Sequence, residues 1–125
     1  MDQDAVDKLV TLYCAAWDEP DRERRRAMLE QVFEADGVYV DPTVRLTGVL
    51  ALVDHIDKVS ARYPGSTLLR TTRVDWHHEM LRFGWRKMLA NGDLLPSSVD
   101  FCRLSEQGRL RLVVGFFGEM ADLDG

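Results

Sequence analysis

The chain has 125 residues, 46% hydrophobic and 30% charged, the balance of a folded globular protein and not of a disordered one. With 16 Lys and Arg against 21 Asp and Glu, the formal charge is -5. Nucleic acid and anionic membranes both need a basic surface, so neither is expected as a partner. The length fits one domain, residues 1–125, with one core.

The opening MDQDAVDKLV is acidic and lacks the basic-then-apolar layout of a signal peptide, and no apolar run is long enough to cross a bilayer. Val6, Leu9, Val10, Tyr13, Cys14 and Trp17 recur at helical spacing and predict a first helix with one apolar stripe. Pro20 breaks it. A second helix is expected from about Arg22 to Phe33, with the RERRR run as a solvated face because glutamate interleaves it. Asp36-Gly37 then reads as a turn into a short strand, Val38 to Val40, stopped by Asp41-Pro42. The stretch TVRLTG reads as a hinge, and Gly48 precedes a third helical pattern that ends near Pro64-Gly65.

Beyond Gly65 the period changes to two. Ser66 to Trp76, Leu81 to Leu89, Ser97 to Leu104 and Leu110 to Phe117 read as strands, with turns at HHEM, NGD and SEQGR. Helices followed by an antiparallel meander define an α+β fold: three N-terminal helices on a strongly curved, mainly antiparallel sheet, cone-shaped and enclosing a cavity suited to a small ligand. Val99 and Phe101 oppose Cys102 and Leu104 on one strand, so both faces of the sheet are apolar, and a homodimer packed through the sheet is expected. Cys14 and Cys102 fit neither a disulfide framework nor a zinc site and read as reduced core thiols of a cytoplasmic protein.

There is no glycine-rich phosphate loop and no Gly-x-Ser-x-Gly elbow, and no cofactor is expected. His77 and His78 fall in a turn, where adjacent residues do not form a joint metal site, so no metal is expected either. His55 either lines the cavity from the third helix or lies on that helix's surface. Asp100 shares an alternation with Cys102 and Leu104; an inward aspartate is costly unless paired or protonated, so it is a site residue, an outward residue of an edge strand, or one bonded to a backbone amide. Tyr13 lies on the first helix's buried stripe, where a phenol needs a hydrogen-bond partner. Trp85 and Arg86 are neighbours on a strand, so one of the two faces inward, and periodicity leaves the choice open.

Tyr13-x-x-x-Trp17-Asp18, FEADGVYVDP, Gly48, LRFGW, VDFCRL, SEQGRL and GFFG, in this order, resemble the nuclear transport factor 2-like superfamily, in particular its SnoaL-like polyketide cyclase and ketosteroid isomerase branches. The resemblance covers nearly the whole chain. It implies cofactor-independent proton transfer next to a carbonyl, with Asp41 as base and Tyr13 and Asp100 as donors to the enolate oxygen. Trp17, His55, Trp85, Arg86 and Phe117 are then candidate contacts for a small hydrophobic or carbonyl-containing ligand. One proton transfer with two such donors supplies on the order of 5–8 kcal/mol of barrier reduction.

The resemblance also admits a non-catalytic ligand-binding or dimerisation module, and an epoxide-hydrolase-like hydrolase that would need a carboxylate–arginine–carboxylate set holding a water, with Asp41 or Asp100 near Arg86. Arg45 is either solvated or a cation at the cavity mouth, where it would suit a carboxylated substrate.

Overall fold

The Asp2 carboxylate accepts a hydrogen bond from the Ala5 amide (2.8 Å) and caps α1, Gln3–Asp18, whose buried stripe runs through Val6, Leu9, Val10, Tyr13 and Cys14. Asp21 caps α2, Arg22–Val32, in the same way through the Arg24 amide (3.0 Å). The third helix, α3 (Val49–Arg62), starts at Gly48, whose φ of 95° lies in the region that favours glycine. Its Leu52, Val53 and Ile56 enter the core. This computed structural model describes residues 1–125.

Seven strands form one sheet: β1 (Phe33–Asp41), β2 (Val44–Thr47), β3 (Thr67–Arg70), β4 (Asp75–His77), β5 (Met80–Met88), β6 (Ser98–Leu104) and β7 (Leu110–Phe116). Their order is β2-β1-β7-β6-β5-β3, and β4 pairs with β5 beside β3. Only β1 and β7 run parallel; the other pairs are antiparallel. The fold is α+β, with three helices on a mostly antiparallel sheet. No helix is long and apolar enough to cross a membrane.

Four sequence expectations are corrected. Asp36-Gly37 is no turn: β1 runs through it, and a register shift against β7 between Phe33 and Val38 absorbs the irregularity. Gly37 is required there because a Cβ would lie 2.6 Å from the Phe33 ring. The supposed hinge is strand β2, joined to β1 by a tight turn at Pro42-Thr43. The expected strand Ser66 to Trp76 divides into β3 and β4. Thr71 and Thr72 fold against Gly84, where an added Cβ would meet Thr71 Oγ1 at 2.5 Å, and the Gly84 amide donates to Thr72 Oγ1 (2.8 Å).

The RERRR run is not uniformly solvated. Arg25 is 2% exposed; its Nε and Nη2 donate to the Glu19 carbonyl (3.1 and 2.8 Å) and its Nη1 pairs with Asp57 of α3. Arg22 spans Asp54 (2.7 Å) and Asp57 from the same helix. Charge alone therefore misreads this run, because a planar five-donor guanidinium can be buried when every face finds an acceptor. Replacing Arg25 with Met should lower stability by about 1–3 kcal/mol, a range kept modest because Asp57 remains partly exposed to water. Urea denaturation checks this, and an unchanged midpoint would show that the clamp between α2 and α3 contributes nothing.

Candidate functional site

A cavity of about 550 Å³ lies between the inner face of the sheet, α3 and the end of α1. That volume accommodates a drug-sized molecule. Of the residues singled out in the sequence, Trp17, Asp41, His55, Trp85, Asp100 and Phe117 line it. Tyr13 and Arg86 do not. Arg86 alternates with Trp85 and Lys87 on β5 and faces away, its Nε donating to the Leu95 carbonyl (3.0 Å). The carboxylate–arginine–carboxylate arrangement needed for the hydrolytic reading is therefore not formed. Arg45 is exposed beside Glu79 and Arg103, outside this cavity, and is not at its mouth. His77 ends β4, paired with Met80, and only His78 lies in the β4–β5 turn; no group of three or more His, Cys, Asp or Glu side chains converges to hold a metal.

The sheet register sets the two carboxylates. Val40 pairs with Val114, and Asp100 pairs with Gly115, so Asp41, Gly115 and Asp100 stand in one row across β1, β7 and β6. Two strand spacings, about 10 Å, separate the outer backbones. Gly115 has no side chain to fill the gap. A Cβ there would lie 2.9 Å from Asp100 Oδ1 and 3.6 Å from the Asp41 Cβ.

Asp41 is held by five contacts. Its Oδ1 accepts from the Thr43 amide (2.7 Å), the Thr43 hydroxyl (2.6 Å) and the Val44 amide (3.2 Å), the geometry of an aspartate closing its own turn. The Tyr39 hydroxyl donates to Oδ2 (2.7 Å), because residues two apart on a strand share a face. His55 Nε2 stands 3.5 Å from the same oxygen, an electrostatic contact. Burial pushes the Asp41 carboxyl up, but the His55 imidazole, Thr43 and Tyr39 outweigh it and hold it well below the usual carboxylate range. A carboxylate so well satisfied keeps its charge and is a weak proton acceptor.

Asp100 is the opposite case. It is 6% exposed, and one protein donor reaches it, the Trp85 indole N–H to Oδ1 (3.0 Å). Burial pushes its carboxyl up to about 7, the Trp85 bond opposes this, and the Asp41 charge adds to it. The two aspartates therefore differ in protonation behaviour although they share one wall. The sheet gives one a turn full of donors and the other a single indole.

His55 is not a surface histidine. Its side chain is 10% exposed, and its ring lies 5.6 Å from the Tyr39 ring and 6.0 Å from Trp17. Nε2 is enclosed beside Asp41, which leaves Nδ1 as the nitrogen able to meet a ligand. Tyr13 is 1% exposed with its hydroxyl unpartnered, and burial and the nearby Asp100 raise its pKa well above the usual phenol value. Cys14 and Cys102 are free and buried, and burial raises both thiols, Cys14 to about 12.

Sequence reasoning missed Tyr39, Gly115, Lys58, Arg62 and Lys87. Tyr39 had a signal, since it precedes Asp41 by two in a strand. Lys58 and Arg62 follow His55 by three and seven, which puts them on its helix face. Gly115 opens the GFFG piece of the resemblance, but its place between the two aspartates is fixed by strand pairing alone.

No protein-family model matches the sequence, and no curated protein does. Solved structures match strongly. A candidate isomerase of the SnoaL-like family from Agrobacterium tumefaciens is 31% identical, over 90% of this chain and 96% of that one, with a TM-score of 0.85. The chain belongs to the SnoaL-like family, within the nuclear transport factor 2-like superfamily. Two more distant structures share the fold. One, from Catenulispora acidiphila, has a ketosteroid isomerase-like fold with trimethylamine bound (16% identity, 88% and 85% coverage, TM-score 0.71). The other is a candidate polyketide cyclase from Sinorhizobium meliloti (13% identity, 92% and 99% coverage, TM-score 0.70).

Asp100 binds its proton more tightly folded than unfolded. Its contribution thus favours folding below the usual carboxylate range and is lost as pH rises through about 7. The full shift corresponds to about 4 kcal/mol. Asp100→Asn should flatten the decline in thermal midpoint between about pH 4 and pH 7 relative to the parent protein. Superimposable pH profiles would show that Asp100 titrates as an ordinary carboxyl.

Proposed function

We propose that the protein catalyses cofactor-independent proton transfer next to a carbonyl, as an isomerase or cyclase. The observation that carries this is a held anion, Asp41, paired with His55, and a protonatable Asp100 on the same cavity wall one strand beyond Gly115. Asp41 orients His55 through Nε2, so Nδ1 is the base that takes the proton from the carbon beside the carbonyl. The C–H electron pair moves into the enolate, and the carbonyl oxygen receives a hydrogen bond from the protonated Asp100. Trp85 occupies Asp100 Oδ1 and leaves Oδ2 for the substrate. Return of the proton from His55 to a different carbon completes an isomerisation; in a cyclisation the enolate carbon bonds to a second carbonyl carbon, whose C=O electron pair moves onto oxygen and takes the proton held by His55.

This reading moves the base from Asp41 to His55, because five contacts already satisfy Asp41 and Nδ1 of His55 is uncommitted. It keeps Asp100 as oxyanion donor. It gives Tyr13 no role, since its hydroxyl is off the cavity wall. A positioned base and one such donor each contribute roughly 10²–10³-fold.

Deuterium uptake from heavy water into a panel of β,γ-unsaturated ketones and polyketide-like carbonyls tests the assignment. His55→Gln should slow uptake by at least about 100-fold, and Asp100→Asn by roughly 10–100-fold. The unmodified protein should lose uptake as pH rises through about 7, where Asp100 gives up its proton. Uptake unaffected in His55→Gln would return the base to Asp41.

The outer face of the sheet supports a second proposal, that two copies pair through it. Phe101 and Phe116 are 42% and 56% exposed and pack edge to face, with ring centroids 6.0 Å apart. Exposed aromatic pairs of this kind are costly in water and enriched at interfaces. Sedimentation should find a dimer, and Phe101→Ser with Phe116→Ser a folded monomer. A parent protein that sediments as a monomer would remove the proposal. The two inert, reduced thiols accord with a cytoplasmic setting.

A further inference from the structure

The cavity has a second end. On α3, His55, Lys58, Val59 and Arg62 follow each other at three-, four- and seven-residue offsets, and all four line the cavity. With a rise of 1.5 Å per residue, Lys58 lies about one turn and Arg62 about two turns, roughly 10 Å, along the helix from His55. On β5, Lys87 shares the inward alternation of Trp85 and lies one strand repeat, about 7 Å, beyond it. Helix α3 leads directly into β3, whose Leu68 pairs with Lys87. The three cations therefore arrive at the same end.

None of the three forms an ion pair; every pair in the chain uses other cations. The only acids lining the cavity, Asp41 and Asp100, are at the opposite end. Lys58 and Arg62 are exposed at the rim, while Lys87 is half-buried. Burial lowers the Lys87 pKa, and the charge of Asp18, whose Oδ1 accepts from the amide of Leu68 opposite Lys87 (2.9 Å), opposes this. An ammonium drawn part-way out of water with no ion-pair partner leaves its charge open to an anion from elsewhere. Val59, Leu68, Leu95 and Phe117 add apolar lining to the cavity. In a chain of net charge -5, this is a local reversal of sign.

We propose that the substrate is a carbonyl compound with an apolar body and a terminal carboxylate, its carboxylate bound by Lys58, Arg62 and Lys87 and its reacting carbon at the His55–Asp100 end. The reacting end rests on the proton-transfer reading given above. The carboxylate subsite rests on the three cations alone. It transfers to Lys58, Arg62 and Lys87 the role that sequence had offered to Arg45.

The probes are δ-benzoylvalerate, a ketone with a carboxylate-ended chain, and its methyl ester, titrated calorimetrically against the whole protein. The acid should bind at least about tenfold more tightly than the ester, because a charge-assisted contact is lost in the ester. Raising the salt concentration should weaken the acid selectively. In Lys58→Gln/Arg62→Gln, both exposed and safe for folding, the preference should fall to about threefold or less, and Lys87→Met should lower it independently. Equal binding of acid and ester, an acid that does not bind, or a preference that survives in these variants overturns the proposal.

Deuterium uptake beside the ketone separates the two readings. Acid-selective binding without uptake retains the carboxylate subsite and removes proton transfer. Uptake into the ester as fast as into the acid retains proton transfer and removes the carboxylate subsite.

Discussion

Two carboxylates share one cavity wall with a glycine between them, and the rest of the site is organised around keeping them in different protonation states. At about 10 Å and an effective dielectric of about 20, two such charges repel by roughly 1–2 kcal/mol, which alone would shift a pKa by about one unit. The larger difference comes from solvation. Asp41 receives amide, hydroxyl and phenol donors from its own turn and strand, whereas Asp100 is buried with one indole N–H. The local backbone decides which aspartate keeps its charge.

That asymmetry explains why the chain places Asp-Pro at the end of β1. Pro42 forces the tight turn that sends β2 back along β1, and the turn supplies the Thr43 and Val44 amides to Asp41. The turn makes Asp41 a fixed anion, and the fixed anion faces His55. Parallel pairing of β1 with β7 then sets this end of the strand beside Gly115 and Asp100. A first strand pairing with the last is a non-local constraint, and the site exists only when it is satisfied.

Much of this was legible in the sequence, and the failures have physical causes. The helices were legible because a period of 3.6 and the breaks at Pro20 and Gly48 are local signals. The inward face of β6 was legible too: Asp100, Cys102 and Leu104 alternate as expected, and all three are buried. Arg25 was misread because its carboxylate partner, Asp57 on α3, is remote in sequence. The choice between Trp85 and Arg86 stayed open because neighbouring strand residues differ only by which face meets the helices. Gly115 and Lys87 gain their meaning from strand pairing, which no local period encodes. The family resemblance located the carboxylates. It could not show that five contacts would already occupy one of them.

The most direct test is a titration of the aspartate carboxyl carbons by NMR in the intact protein, with Asp100→Asn and Asp41→Asn used to assign the signals. The account predicts that the Asp100 carboxyl titrates at about 7, while the Asp41 carboxyl stays ionised well below the usual range. If both titrate near the ordinary value of 3.8, the two aspartates are equivalent and the division of labour between them is wrong.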